Sequence, residues 1–436
     1  MRAPIKLKDL SGKDYHRLIE RSAFQLEKTI PKVIPIINQV REKGDEAVVD
    51  LTRRFDGVDL SPTSLRVGSQ KIKQAYKKVS PSLIDSLRKM CKQVKDFHRN
   101  QLKLRRNWSI VKTLSGSYTL GEFFSPVEKA AIYVPGGKAS YPSTAIMGCV
   151  PAKLAGVSEV VVCSPPSSGG EIAPEVLVAS DIAGADLVIN AGGAQVVAAV
   201  AYGTETIPKV DVIAGPGNIY VTAAKAYLAS LGQVGIDCPA GPSEILTIAD
   251  DSAPPVYVVW DILAQAEHDE ASYALVVTTS EKLAREIYTR IEEEMRFARR
   301  KNIIRSCLNS NGFILLVDTL EEAAEFANRF APEHLEIITQ NPDEILPLIK
   351  NAGSVFLGPF SPVAAGDYFT GCNHILPTGG AARCLSGLSV NTFLKRITYQ
   401  KLSLEALSRM RGPVSHLASK EGFQAHLRSV ETRLKN

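Results

Sequence analysis

The sequence lacks most features that would assign it to a membrane, a disulfide framework or a thiolate metal site. Its seven cysteines are an odd number, and no two of them form a CxxC pair. This pattern indicates reduced thiols in a cytoplasmic protein. The one long uncharged run, residues 187–204, is interrupted by Asn190, Gly192 and Gln195, and the first ten residues contain no apolar signal core. A membrane span and a signal peptide are therefore not expected.

The excess of positive over negative charge is also small. The formal net charge is +5 over 436 residues, and the basic clusters at 71–78, 99–106 and 296–305 have acidic or polar neighbours. Neither interleaved aromatic residues nor a nucleic-acid-binding motif accompanies these clusters, which favours solvated helix faces over a nucleic-acid surface. With 45% hydrophobic and 22% charged residues, the chain is expected to fold throughout.

The spacing of apolar residues changes along the chain and predicts four parts. Residues 1–127 show helical spacing, and this region is expected to pack with the second sheet domain. In 128–239 and again in 240–386, short β-branched runs alternate with helical runs. This alternation predicts an α/β fold with two Rossmann-like, doubly wound parallel-sheet domains. Residues 387–436 are predicted to form a small helical tail that packs on another domain or a second subunit.

Three glycine-rich turns follow predicted strands, with the sequences YVPGG, NAGGAQ and GPGN. Their polar members are Tyr133, Gln195 and Asn218. Glycine allows the backbone to approach a pyrophosphate closely, and a following helix offers free N–H groups to it. None of the three is GxGxxG, and each alone is more often only a strand-to-helix turn. Together they favour a dinucleotide crevice.

Polar side chains suited to a metal ion gather in the second half of the chain. Gln265 and His268 lie three residues apart on a predicted helix, so they share one face, although a solvated helix end would have the same pattern. Asp367, His374 and His426 follow, and five of the seven histidines fall between His268 and His426. Such oxygen and nitrogen donors suit Zn²⁺.

Glu333 and His334 lie between a predicted helix and an apolar strand, directly after Pro332. A neutral imidazole and a carboxylate at a strand entrance are suited to act as general bases. An adjacent Glu and His also occur often by chance on protein surfaces, without a catalytic role. Their place at the edge of a predicted sheet favours the catalytic interpretation.

Taken together, the motifs resemble those of histidinol dehydrogenases over nearly the whole chain, from REKGDEAVVDLTRRFDGV to EGFQAH. The specific motifs are YVPGGKASYPST, GPGNIYVTAAK, GIDCPAGPSE, ILAQAEH, FAPEHLE, GDYFTGCNHILPTGG and EGFQAH. The resemblance implies a homodimer that oxidises L-histidinol to L-histidine through the aldehyde, as the last steps of histidine biosynthesis. It also implies two NAD⁺ per reaction and one Zn²⁺ per subunit.

The resemblance assigns a role to each matching position, and it places Glu421 and His426 in the active site of the partner subunit. The implied residues are the zinc ligands Gln265, His268, Asp367 and His426; the bases Glu333 and His334; the substrate contacts Ser243, Gln265, His268, His334, Asp367, His374, Glu421 and His426; and the NAD⁺ contacts Tyr133, Gln195 and Asn218.

Three other functions remain open at this point. A dehydrogenase with the same fold and zinc site could act on another alcohol, such as a sulfonated or phosphonated diol. A zinc hydrolase would use Glu333 to activate a metal-bound water and would need no dinucleotide. A non-catalytic nucleotide-binding scaffold would need neither bases nor ligands. Retention of Ser243, His374 and Glu421 favours histidinol as the substrate.

Overall fold

The computed structural model of the chain describes residues 1–21, 23–105, 107–112, 117–136 and 140–435, with the side chains of 23–25 left out. These residues form two compact units. The first comprises Met1–Arg99 and Val127–Phe393, and the second comprises Asn100–Pro126 and Leu394–Asn436.

Helices and strands are numbered in chain order. The helices are α1 (Gly12–Ile19), α2 (Ala23–Asp56), α3 (Ser69–Lys78), α4 (Pro81–Lys103), α5 (Pro142–Ala155), α6 (Pro174–Ile182), α7 (Gly193–Tyr202), α8 (Ile219–Ser230), α9 (Pro255–Ala266), α10 (Glu281–Glu294), α11 (Lys301–Asn311), α12 (Leu320–Phe330), α13 (Pro342–Ile345), α14 (Val363–Tyr368), α15 (Leu404–Lys420) and α16 (Gln424–Arg433). The strands are β1 (Ile5–Lys6), β2 (Trp108–Lys112), β3 (Tyr118–Pro126), β4 (Lys129–Tyr133), β5 (Glu159–Ser164), β6 (Leu187–Asn190), β7 (Val212–Ala214), β8 (Gly235–Ile236), β9 (Glu244–Ala249), β10 (Tyr273–Thr278), β11 (Gly312–Leu316), β12 (His334–Ile338), β13 (Ser354–Leu357) and β14 (Leu394–Leu402).

A five-stranded parallel sheet in the first unit has the strand order β6-β5-β4-β7-β8. Strands β4 to β7 are short and largely buried, because α2, α7 and α8 cover one side of the sheet and contribute to a common apolar core. The chain leaves β4 toward β5 and β6, and then returns to the other side of β4 as β7. The topological switch point, where such sheets bind ligands, therefore lies between β4 and β7.

A six-stranded parallel sheet completes the first unit, in the order β1-β11-β10-β9-β12-β13. Alternate residues of its central strands enter two different apolar cores: Leu246 and Leu335 face one, whereas Ile245 and Ile338 face the other. Helices therefore cover both faces, as in a doubly wound sheet. The prediction of two Rossmann-like parallel sheets is confirmed.

The break in α2 shows why a glycine stands at position 44. Gly44 has φ 55° and ψ −133°, which a residue with a side chain rarely adopts. A Cβ atom at Gly44 would lie 2.3 Å from a carboxylate oxygen of Glu205. That carboxylate instead accepts a hydrogen bond from the Asp45 N–H at 2.8 Å, which begins the second half of the helix.

Among the described residues, no helix is both long and apolar enough to span a bilayer.

The second unit contains a three-stranded antiparallel sheet that the sequence interpretation missed, in the order β14-β3-β2. The predicted helical N-terminal region and helical C-terminal tail are confirmed, but β2, β3 and β14 lie within them as well. Most of their residues are exposed or only half-buried, so these strands lack the apolar runs by which the others were recognised. The three boundaries between the four predicted parts stay a prediction.

Candidate active site

Two of the glycine-rich turns meet at the switch point of the five-stranded sheet. Tyr133 ends β4, and its buried hydroxyl accepts a hydrogen bond from the Gly193 N–H at 3.2 Å. Burial raises the pKa of Tyr133 to about 12, so the phenol is neutral. Gly215, after β7, has φ 112°, and a Cβ there would lie 2.2 Å from the Tyr133 carbonyl oxygen. Only glycine permits this close approach of the two turns.

Gln195 and Asn218 lie at the same edge of that sheet but in different surroundings. Gln195 is buried near the start of α7, and its Nε2 lies 3.5 Å from Asp56 Oδ2. Asn218 is exposed and caps α8, since its Oδ1 accepts the backbone N–H groups of Tyr220 and Val221 at 3.0 and 3.1 Å. Asn218 thus fixes where the helix after the GPGN turn begins.

A buried ion pair supports the same turn, and sequence reasoning missed it. Lys225 Nζ donates to Asp237 Oδ1 at 2.5 Å and to the Gly215 carbonyl at 2.9 Å. The other Asp237 oxygen accepts the Gly215 N–H at 2.7 Å. Both side chains are only 2% exposed. A lysine in an Ala-rich helix is usually counted as a surface charge, so nothing local in the sequence indicated this role.

Glu333 and His334 stand buried at the amino-terminal end of β12, not at the carboxyl-terminal edge where such sheets usually bind ligands. His334 Nδ1 lies 3.1 Å from the Glu244 carbonyl oxygen. A carbonyl only accepts, so this nitrogen carries the proton and Nε2 has a free lone pair. Within the described part of the chain, Nε2 has no hydrogen-bond partner, and Asp367 Oδ1 is 3.7 Å away.

The surroundings of His334 keep its imidazole neutral. Burial, and to a smaller extent the neighbouring His268 and His374, lower the pKa of His334 to about 3, against the opposing effect of the hydrogen bond to Glu244. At neutral pH the imidazole is therefore unprotonated at Nε2. This is the form that accepts a proton from a bound hydroxyl group.

The Glu333 carboxyl group lies beside this imidazole, with Oε2 at 3.6 Å from His334 Nδ1. Oε2 accepts the Glu244 N–H at 2.9 Å, and the Ser243 side chain also hydrogen-bonds to this carboxyl. Burial raises the pKa of Glu333 well above its usual range, and the carboxyl groups of Glu244 and Asp367 act in the same direction. A carboxyl group with a raised pKa takes up a proton more readily, as a general base must.

Asp367 and His374 are joined through the backbone. His374 Nδ1 donates to the Asp367 carbonyl at 2.9 Å, and His374 Nε2 lies 3.4 Å from Thr144 Oγ1, at the start of α5. Burial lowers the pKa of His374 to about 4 and raises that of Asp367 to about 7. The His374–Thr144 contact places this cluster, at the amino edge of the six-stranded sheet, next to the helix that follows β4 of the five-stranded sheet.

Gln265 lies in the last turn of α9 and His268 in the turn that follows it, and α9 packs against the helix α14 that carries Asp367. Gln265 is 3% exposed, and in the described structure its Nε2 has no hydrogen-bond partner. His268 is exposed and close enough to influence the pKa of both His334 and His374. An unsatisfied buried amide beside carboxylate and imidazole donors fits a site that is completed by a ligand.

The remaining two predicted residues lie in the second unit. Glu421 ends α15 and His426 lies in α16, and both are exposed. Across the described ranges, no three His, Cys, Asp or Glu side chains are grouped so that they could hold a metal ion. The first unit brings together the two predicted bases, His374, Ser243 and three of the four predicted zinc ligands.

Comparisons of the sequence with known proteins all match one family. The sequence profile of the histidinol dehydrogenase family matches residues 19–434. The chain is 45% identical over 430 residues to a histidinol dehydrogenase of Methanocaldococcus jannaschii, covering 99% of this chain and 98% of that protein. It is 47% identical over 414 residues to one of Archaeoglobus fulgidus, covering 95% and 98%.

A solved structure agrees with the sequence comparisons. The crystal structure of a histidinol dehydrogenase from Elizabethkingia anophelis superimposes with a TM-score of 0.90 and 35% sequence identity, over 99% of this chain and 98% of that chain. Both the sequence and the fold therefore match along the whole length. The chain belongs to the histidinol dehydrogenase family, whose members are oxidoreductases of histidine biosynthesis.

Proposed function

We propose that this protein oxidises L-histidinol to L-histidine in two NAD⁺-dependent steps at a zinc-containing site. The observation that carries the proposal is the buried, neutral His334, whose Nε2 has no hydrogen-bond partner among the described residues and lies 3.7 Å from Asp367, while Glu333 lies 3.6 Å from its Nδ1. Family membership supports the choice of substrate. A zinc hydrolase is less well supported, because the three glycine turns at the carboxyl edge of the five-stranded sheet would have no ligand.

The donor atoms in the first unit fit Zn²⁺, since Gln265, His268 and Asp367 offer nitrogen and oxygen and Gln265 has an unsatisfied buried amide. His426 is the proposed fourth ligand. NAD⁺ supplies a hydride acceptor for each oxidation, and Zn²⁺ supplies a cationic binding point for the amine and imidazole nitrogens of the substrate. Tyr133, Gln195 and Asn218 are the proposed contacts of the dinucleotide.

His334 and Glu333 divide the proton transfers in this proposal. His334 Nε2 takes the hydroxyl proton while the carbinol carbon gives up a hydride, and this yields the aldehyde. Glu333 then takes a proton from the water that adds to the aldehyde carbon. A second loss of hydride from the hydrated aldehyde, with release of its hydroxyl proton, gives the acid. Ser243, His374 and Glu421 are the proposed groups that hold the substrate in place.

A substrate panel tests the proposal. Purified, zinc-loaded protein is mixed with NAD⁺ and L-histidinol, other amino alcohols, or sulfonated and phosphonated diols, and NADH formation is followed by absorbance. We expect histidinol to give the highest kcat/KM and a chelator to abolish the reaction, with activity restored by added Zn²⁺. If another alcohol is oxidised while histidinol is inert, the substrate assignment is wrong; if no alcohol reduces NAD⁺, the dehydrogenase assignment is wrong.

The proposed homodimer with shared sites predicts complementation between two inactive variants. Asp367→Ala removes a ligand from the first unit, and His426→Ala removes one from the second. If His426 completes the partner's site, a mixed dimer contains one fully intact site, so random mixing restores about a quarter of the wild-type activity. Each variant is first measured alone and then after denaturation and refolding together with the other. A mixture that stays as inactive as its components would exclude the shared site.

Loss of the Lys225–Asp237 pair is expected to weaken dinucleotide binding. Lys225→Met leaves Asp237 buried without its partner, which costs about 3–5 kcal/mol of stability and frees the Gly215 turn. We expect the KM for NAD⁺ to rise about tenfold while the KM for histidinol is unchanged. Lys209→Met, at a position outside this network, is the control. Parallel changes in the two KM values would contradict a specific effect on the turn.

A further inference from the structure

Arg21 and Glu244 form a buried ion pair, and neither residue was predicted from sequence to take part in the site. Arg21 Nε donates to Glu244 Oε1 at 2.5 Å and Arg21 Nη2 donates to Oε2 at 2.6 Å, and each side chain is 1% exposed. The guanidinium lies over the Phe330 ring, with its carbon 3.6 Å from the ring centroid. Two parallel charge-assisted hydrogen bonds and a stacked ring fix the Glu244 carboxylate in one orientation.

The same carboxylate holds two backbone segments that border the candidate site. Glu244 Oε2 accepts the Glu333 N–H at 3.4 Å, and Oε1 accepts the Gly379 N–H at 2.8 Å. Each oxygen thus receives two N–H donors, and all four strong acceptor positions of the carboxylate are used. A glutamine in its place would turn its NH2 group toward two of these N–H donors. Because that group cannot accept a hydrogen bond, two of the four hydrogen bonds would be lost.

The main chain of Glu244 contacts both bases as well. Its N–H donates to Glu333 Oε2 at 2.9 Å, and its carbonyl accepts from His334 Nδ1 at 3.1 Å. Arg21 Nη2 also reaches the carbonyl of Ala331 at 3.4 Å, and Ala331 has the unusual φ of 51° two residues before Glu333. The side chains of Arg21 and Glu244 therefore hold the backbone at Ala331 and Glu333, and the main chain of Glu244 holds the side chains of Glu333 and His334.

We infer that Arg21 and Glu244 form a clamp that positions Glu333 and His334 for proton transfer, so that both are positioning residues of this site. The kinetic part of this inference rests on the proposed function. Misplacement of a base by about 1 Å lowers a rate by about two orders of magnitude, and neither residue of the clamp needs to touch the substrate for this effect.

Glu244→Gln tests the clamp in the full-length, zinc-loaded enzyme. We expect kcat for histidinol oxidation to fall by about 10- to 100-fold, with the KM for NAD⁺ unchanged. Ile287→Ala, a fully buried position in the core beneath α10, lowers the melting temperature without touching the clamp and should retain kcat. The two variants are compared at an equal fall in melting temperature. If kcat then falls as far in Ile287→Ala as in Glu244→Gln, general destabilisation accounts for the effect and the clamp is refuted.

The double variant Arg21→Met, Glu244→Leu separates positioning from stability. Removing both charges avoids an unpaired buried ion, so the melting temperature should recover relative to Glu244→Gln. We expect kcat to stay low, since Glu333 and Gly379 still lack their acceptor. Recovery of wild-type kcat together with the melting temperature would overturn the inference.

Hydrogen exchange tests the clamp without relying on any substrate. In Glu244→Gln, the amides of Glu333 and Gly379 should exchange at least about tenfold faster than in the wild type, while those of β10 stay protected. Unchanged protection of both amides would refute the clamp. If the wild-type enzyme fails to oxidise histidinol, the proposed function is wrong, and the exchange rates still decide the clamp.

Discussion

Replacing His334 with asparagine should lower kcat for histidinol oxidation by about 10²- to 10⁴-fold, the usual contribution of a general base. The asparagine amide can occupy the place of Nδ1 and donate to the Glu244 carbonyl, so the local hydrogen bond is kept. What is lost is Nε2, which lies beside Asp367 and has no hydrogen-bond partner in the part of the chain that the structure describes. The fall should therefore appear in kcat, with little change in melting temperature.

His16 provides the matched control, because it is an exposed histidine on α1. His16→Asn makes the same chemical change and should keep wild-type kinetics. If His334→Asn retains kcat within a few-fold of the wild type, His334 is not the base, and the first proton transfer has to be assigned to another group.

Glu333→Gln should separate the two oxidations. The amide cannot take a proton from water, so hydration of the aldehyde slows by about 10²-fold or more, while the alcohol step continues through His334. With limiting histidinol, NADH should rise quickly to about one equivalent and then stall as aldehyde accumulates. A carbonyl-trapping reagent measures that aldehyde directly.

Glu336→Gln is the matched control for this variant. Glu336 is buried on the same strand, but its carboxyl hydrogen-bonds to Thr247 Oγ1 at 3.0 Å and to Asp261 rather than to Glu333 or His334. The same Glu-to-Gln change there should leave the ratio of the two steps as in the wild type. An equal loss of both steps in Glu333→Gln would contradict the division of labour between Glu333 and His334.

The parallel sheets were predictable because their strands are short apolar runs between helices. The sequence EVVVCS corresponds to β5 and YALVVT to β10, and their burial on both faces produces the continuous hydrophobic pattern. Strand β2, in contrast, is exposed along its length and pairs with β3 in a small antiparallel sheet. Its pattern has no apolar face to distinguish it from a loop or helix end.

Some residues of the candidate site were predictable from the sequence, and others were not. Glu333 and His334 are adjacent in the chain, so their motif was visible, and the structure brings them near Asp367 and His374. The clamp joins positions 21 and 244, which are 223 residues apart, so only the folded chain reveals it. The roles of Glu421 and His426 in the second unit stay predictions.

The central claim, a four-electron oxidation of histidinol, is tested most directly by stoichiometry. Zinc-loaded enzyme is given a limiting, known amount of L-histidinol and excess NAD⁺, and total NADH and histidine are measured at completion. The account predicts two NADH and one histidine for each histidinol consumed. One NADH per histidinol with aldehyde as the end product, or no NADH at all, would contradict it.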